Sequence, residues 1–208
     1  MDDTFVAEIK FKMESTNQRH EDTPDAIEMN LMKVLQEHTI LAGKIDYRNF
    51  GELVKHIKQA SAIFLIASGR SGFSMRSVAM RMMHLGLRVY FVGETTTPAI
   101  KQGDLLWAAS GSGTTSTILK AAEKAKLVGA QVIAMTTNTT STLAVMADIH
   151  ILIPAAEKED HNGAKSKQYA GSLFEQALLL IGDAVFMELW KLDGTPAEQL
   201  WKRHANME

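Results

Sequence analysis

Cysteine is absent from the 208 residues, which excludes disulfides, thiolate nucleophiles and cysteine-based metal sites. An excess of charge is also missing: 22 Lys and Arg against 24 Asp and Glu give a formal net charge of −2. Without a broad basic surface, nucleic acid and anionic membrane are not expected as partners. No apolar run reaches the roughly eighteen residues of a membrane helix, and the acidic start Met1-Asp2-Asp3 lacks the form of a signal peptide. These absences point to a soluble, cytoplasmic protein. The nucleotide loop G-x-x-x-x-G-K-[ST] and the dinucleotide turn G-x-G-x-x-G are missing too, so no nucleotide cofactor is expected. His, Asp and Glu do not cluster at ligand spacing, and no metal is expected either.

What is present is an ordinary globular composition, 46% hydrophobic, in a length that suits one domain. Residues 1–23 are mostly polar and read as an N-terminal arm, leaving 24–208 as a single domain. Thr23-Pro24-Asp25 has the pattern of a helix start, with Thr23 as cap and proline at the first helical position. Ile27, Leu31, Val34, Leu35 and His38 recur at helical spacing, so a helix is expected to about Ala42. A second is expected over Tyr47 to Gln59.

From there apolar, β-branched runs alternate with helical patterns. Strands are expected over Ile63–Ala67, Arg88–Val92, Leu105–Ala109, Gln131–Thr136 and Ile149–Ile153. The intervening helices are expected over Phe73–Leu85, Thr115–Val128 and Thr142–Ala147. This alternation predicts an α/β fold with a parallel sheet covered on both faces. Ala155 to Gln168 is polar and charged, consistent with a loop that closes over a site. Leu173 to Trp190 is apolar almost all round, as in a central helix or, as we favour, one in a subunit interface. A short helix near Pro196–Trp201 and the tail through His204 end the chain.

Two strand-to-helix turns are built from glycine and small hydroxyl residues: Ser68-Gly69-Arg70-Ser71-Gly72 and Ser110-Gly111-Ser112-Gly113-Thr114-Thr115. Such turns aim backbone N–H groups at an anion, and the hydroxyls add donors that need no cation. One turn alone could be a plain connection. Two at the carboxyl end of one sheet suggest a pocket for a phosphorylated small molecule. Without a lysine or metal-binding carboxylates, that phosphate would be held and not transferred.

Glu175 stands in the first turns of the late apolar helix. It reads either as a solvated carboxylate favoured by the helix dipole or as a general base among apolar neighbours. Glu94, just past the second strand, is a rival acid. His204 reads as a surface histidine, His84 and His150 as satisfied core residues, and the methionines Met80, Met82 and Met83 as adaptable core.

With Gly69-Arg70-Ser71-Gly72, Ala79-Met80-Arg81-Met82-Met83-His84-Leu85-Gly86, Val92-Gly93-Glu94, Thr97-Pro98, Ser110-Gly111-Ser112-Gly113, Gly171-Ser172-Leu173-Phe174-Glu175-Gln176 and His204-Ala205-Asn206 in this order, the chain resembles the sugar-isomerase (SIS) domain family. Within it, the 6-phospho-3-hexuloisomerases are the most similar. The resemblance implies a three-layer αβα sandwich around a five-stranded parallel sheet. It also implies cofactor-free isomerisation of D-arabino-hex-3-ulose 6-phosphate to fructose 6-phosphate. Homodimers or homotetramers with sites shared between subunits are implied as well. Ser110, Ser112 and Thr115 would grip the phosphate, and Ser71, with Gly69 and Arg70 of the same turn, would hold the sugar. Glu175 would be the base, and His204, reaching from a neighbouring subunit, its partner.

The chain departs from the family pattern at Thr114, where a glutamate is usual, and at Gln168-Tyr169-Ala170-Gly171, where Gln-Pro-Met/Leu-Gly is usual. The first removes a charge beside the phosphate turn, and the second reshapes the entrance to Glu175. Two other readings stay open on the same fold: another phosphosugar isomerase, such as one for arabinose 5-phosphate, and a non-catalytic sugar-phosphate-binding module.

Overall fold

All five apolar runs pair in parallel, in the order Val89–Phe91, Ile63–Ile66, Leu105–Ala109, Gln131–Thr136, Ile149–Leu152. The structure is a computed structural model that describes residues 23–160 and 165–207; the expected arm therefore lies outside the described residues, apart from Thr23. In chain order the elements are α1 (Thr23–Lys44), α2 (Phe50–Gln59), β1 (Ile63–Ile66), α3 (Gly69–His84), β2 (Val89–Phe91) and β3 (Leu105–Ala109). They continue with α4 (Ser116–Leu127), β4 (Gln131–Thr136), α5 (Thr142–Met146), β5 (Ile149–Leu152), α6 (Ser172–Asp193) and α7 (Ala197–Trp201).

The two-residue period of the strands divides the core into two layers. Ile63, Leu65, Leu105, Trp107, Ile133 and Met135 face one side, where they pack with Leu53, Met75, Val78, Leu178 and Ile181 from the α2, α3 and α6 helices. Phe64, Ile66, Leu106, Ala108, Val132 and Ala134 face the other, against Ile118, Ala122 and Leu143 from α4 and α5. Helices on both faces make the expected three-layer sandwich. Each fully buried Leu or Ile contributes roughly 1.5–3 kcal/mol to it. On the first face α3 and α6 approach so closely that a Cβ on Gly182 would stand 2.1 Å from Val78 Cγ2. Glycine at 182 is what lets these two helices touch.

The chain goes from β1 outward to β2 and then returns to place β3 on the opposite side of β1. The crevice beyond the carboxyl ends of β1 and β3 is thus the switch point where ligands of such sheets bind. Ile63 pairs with Leu105 and Ile66 with Ala108, so the two strands end side by side and deliver both glycine-hydroxyl turns to one place.

Three expectations are corrected. Residues 69–72 are not a turn before a helix at Phe73 but the first turn of α3 itself. The second helix starts at Phe50, not Tyr47, because the Phe50 N–H closes a turn onto the Tyr47 carbonyl at 3.1 Å. The late helix buries Leu173, Phe174, Leu178, Ile181, Val185 and Leu189 in the chain and leaves the apolar Leu180 and Met187 51% and 66% exposed. His84 is buried, yet its Nδ1 has no hydrogen-bond partner among the described residues, so it is not a satisfied core residue. No helix among the described residues is long and apolar enough to cross a membrane.

Candidate active site

Three helices begin at the crevice. Gly69 opens α3 after β1, Ser116 opens α4 after β3, and Ser172 opens α6 after the long loop that follows β5. Each N-terminus carries partial positive charge and N–H groups free of intrahelical partners. Between them lies a cavity of about 60 Å³ lined by Ser68, Ser71, Ser110, Gly111, Ser112, Thr115, Phe174 and Glu175, with Ala156, Glu157, Lys158 and Gly171 from the loop.

The second turn is held by its own hydroxyls. Ser110 Oγ accepts the Gly113 N–H at 3.2 Å and lies 3.0 Å from Thr115 Oγ1. Ser112 Oγ accepts from the Thr114 N–H at 3.3 Å and from the Thr114 hydroxyl at 3.0 Å. With its lone pairs so occupied, the Ser112 hydroxyl has its own proton left to donate to a ligand. The turn is locked from behind: Thr136 and Thr137 hydroxyls both donate to the Gly111 carbonyl, at 3.0 and 2.8 Å.

Glu175 is 7% exposed, not the solvated carboxylate that its position also allowed. Its backbone is fixed by the Glu175 N–H on the Gly171 carbonyl at 3.1 Å and by the Ser74 hydroxyl on the Glu175 carbonyl at 2.7 Å. Arg70 Nε stands 3.3 Å from Glu175 Oε2, but its N–H does not point there, and Oε2 has no hydrogen-bond donor among the described residues. Arg70 instead donates from Nη1 to Ser172 Oγ at 3.3 Å. A buried carboxylate oxygen beside a cation and lacking a donor can accept a proton from a ligand in the crevice.

Ser71 is buried in the first turn of α3 and lines the same cavity. The structure therefore brings together Ser71, Ser110, Ser112, Thr115 and Glu175, with Arg70 bound to the rim and Gly69 at the start of α3. Two other residues fall elsewhere. Glu94 is outside the cavity lining, paired with Arg76, which in turn lies 3.9 Å over the Phe91 ring. His204 stacks on His84, ring centroids 3.9 Å apart, and Arg203 Nη1 donates to the His84 carbonyl at 2.8 Å. That is the far end of α3, roughly 20 Å along the helix from its start. Burial, followed by the charges of His204 and Arg81, pushes the His84 imidazole below the ordinary histidine value.

Sequence reasoning missed Lys158, which lines the cavity, and Glu37, which holds the loop. Glu37 on α1 accepts from Ser166 Oγ and the Lys167 N–H, each at 2.6 Å, and from Gln168 Nε2 at 3.0 Å. A signal for the loop's importance did exist. Gly171, immediately before an apolar helix, has φ +76°, a left-handed turn that glycine adopts without strain.

The match to known proteins covers the same elements. Residues 56–180 match the SIS domain family model. A 3-hexulose-6-phosphate isomerase of Mycobacterium gastri is 50% identical over 184 residues, 88% of this chain and 92% of that one. Another of Bacillus subtilis is 40% identical over 177 residues, 85% of this chain and 96% of that one. Among solved structures, a Methanococcus jannaschii protein with an inferred 3-hexulose-6-phosphate isomerase function superposes with a TM-score of 0.74 at 34% identity, covering 86% of this chain and 99% of that one.

Proposed function

The chain belongs to the SIS domain family, and from that membership and its 3-hexulose-6-phosphate isomerase relatives we infer an isomerase that interconverts D-arabino-hex-3-ulose 6-phosphate and fructose 6-phosphate. The observation that carries the mechanism is Glu175: buried, with Oε2 free of any donor among the described residues, beside a hydroxyl-lined turn. Glu175 takes the proton from C2, the C2–H electron pair forms the C2=C3 bond, and the C3 carbonyl electrons pass to O3. The resulting cis-2,3-enediolate collapses to the C2 ketone as Glu175 returns the proton to C3 and the O2 proton passes to O3. Ser110, Ser112 and Thr115 hold the phosphate, remote from the reacting carbons, and Ser71 orients the sugar. Phosphate binding then positions C2 and C3 against the carboxylate.

The substrate simplifies the task. With O6 phosphorylated, a C3 ketone can close only onto O1 or O5, in strained four-membered rings. The forward substrate is open-chain and needs no ring-opening acid. Fructose 6-phosphate does cyclise, so a second group has more work in reverse. His204 takes that part from a neighbouring subunit, because within one chain it lies at the other end of α3. An apolar groove of about 460 Å³ between α1, α2 and α6, lined by Leu41, Ile45, Phe50, Val54, Leu180 and Val185, supports a homo-oligomer, with a second copy covering it.

Incubation with fructose 6-phosphate in deuterium oxide tests the chemistry. The wild-type chain should incorporate deuterium at carbon while producing the hexulose phosphate, and Glu175→Gln should lower kcat by about 10²–10⁴-fold with phosphate-ligand binding retained. Near-normal turnover by Glu175→Gln would move the base elsewhere, with Glu94 next to be tried. Turnover of arabinose 5-phosphate in place of the hexulose would instead reassign the substrate. Binding without turnover of any sugar phosphate would make the chain a sensor.

A further inference from the structure

Lys158 has no role in the chemistry described so far. It stands in the loop after β5, lines the same cavity as Glu175, and has no hydrogen-bond or ion-pair partner among the described residues. Its position is set by a missing side chain. From the point where a Cβ on Gly171 would lie, Lys158 Cγ is 3.3 Å away and Cε 4.0 Å, and Glu175 Oε1 is 3.8 Å from the same point. The lysine stem thus lies against the side of Gly171 from which a side chain would project, and its outer end and the carboxylate flank one spot.

We propose that Lys158 is a further catalytic residue, whose ammonium group donates a hydrogen bond to the substrate oxygen that becomes negative as the enediol forms. This rests on the isomerase reading above. As Glu175 removes the C2 proton, the carbonyl electrons pass to O3; when the C2 carbonyl forms, O2 gives up its proton to O3. The ammonium stabilises this O2/O3 pair and keeps its own protons, so atoms and charge balance with no co-reactant. Arg70 is a poorer candidate because it already donates to Ser172 Oγ and sits against Glu175 Oε2. The phosphate is a poorer target for Lys158, because the lysine packs on Gly171 at the Glu175 end, whereas the hydroxyl turn supplies its own donors.

The test uses the full chain with Lys158→Met, which keeps the stem on Gly171 and removes the charge, and Lys158→Arg, which restores a cation. Lys158→Met should lower kcat about 10²-fold, the usual loss for one donor to a developing oxyanion. Inhibition by inorganic phosphate and the unfolding midpoint should stay near wild type, and Lys158→Arg should recover part of kcat. A kcat for Lys158→Met within about threefold of wild type would overturn the proposal. So would a loss of phosphate affinity with kcat retained, which would make Lys158 an anion clamp. If the wild-type chain neither turns over the hexulose phosphate nor exchanges deuterium into fructose 6-phosphate, the isomerase reading fails and takes this proposal with it. Wild-type turnover matched by Lys158→Met overturns the lysine's role alone.

Discussion

Ser112 shows how a single side chain divides its hydrogen-bonding capacity. Its oxygen accepts from Thr114 twice, so the hydroxyl proton is the part that faces a ligand. Ser112→Ala should therefore weaken inorganic phosphate and sugar-phosphate binding about tenfold, the worth of one hydrogen bond to a charged group, while kcat stays within a few-fold. Isothermal titration with inorganic phosphate, beside steady-state kinetics, checks the division. Ser110, Ser112 and Thr115 were legible because two glycine-hydroxyl turns stand at the carboxyl end of one sheet, where a single turn could be a plain connection. Glu175 was half legible: its place in the helix was evident, its burial was not. Lys158 was hidden among the other charges of a polar loop, and only the empty Cβ direction at Gly171 singles it out.

At the scale of elements, α1 holds through Glu37 the loop that carries Lys158. Burial of Glu37 works to raise its pKa, but the hydrogen bonds from Ser166, the Lys167 N–H and Gln168, and the nearby His38, outweigh it and leave the carboxyl below the ordinary glutamate value. A lowered folded-state pKa means that the clamp stabilises the fold fully above the unfolded glutamate pKa. The contribution is lost as pH falls through the depressed folded value. Glu37→Gln should lower the urea midpoint at neutral pH, and the gap to wild type should close as the pH drops below the ordinary glutamate range. A gap independent of pH would show that the clamp does not depend on the carboxylate charge. The variant should also raise KM for the sugar phosphate, because the loop that it frees lines the cavity. Strands and helices were largely legible from apolar periodicity. Residues 69–72 were not, because two glycines in four residues argue against helix. They are helical, with the Gly72 N–H on the Ser68 carbonyl at 3.3 Å, and glycine at 72 leaves room for the Ala67 carbonyl, 3.1 Å from where its Cβ would be.

At the scale of the whole molecule, the position of His204 within the chain sets what a shared site would require of an assembly. The histidine is held on His84 and Trp201, with ring centroids 3.9 and 4.5 Å away, at the end of α3 remote from Glu175. If it serves a neighbour's site, two defective variants should complement each other. Mixing Glu175→Gln with His204→Ala, after subunit exchange, should restore reverse turnover of fructose 6-phosphate to roughly a quarter of wild type for a dimer with two shared sites. No gain over the separate variants would end the shared-site reading. His204→Ala alone should slow the reverse direction more than the forward one. The shared site came only with the family resemblance, since the apolar run of α6 by itself suits a core as well as the interface. Along it Leu178 is buried in the chain and Leu180 is half-exposed.

The convergence of α3, α4 and α6 at the crevice has a consequence for acidity. Backbone dipoles and hydroxyl protons do not titrate in the range where enzymes work, so although Glu157, Lys158 and Glu175 line the same cavity, the hydroxyl turn has no ionisation of its own to impose. Its affinity for a phosphate monoester should simply follow the guest's second ionisation, strengthening as the dianion forms and then levelling off. Whatever pH dependence the reaction shows beyond that belongs to the proton-moving groups, and the two can be read apart in one set of measurements.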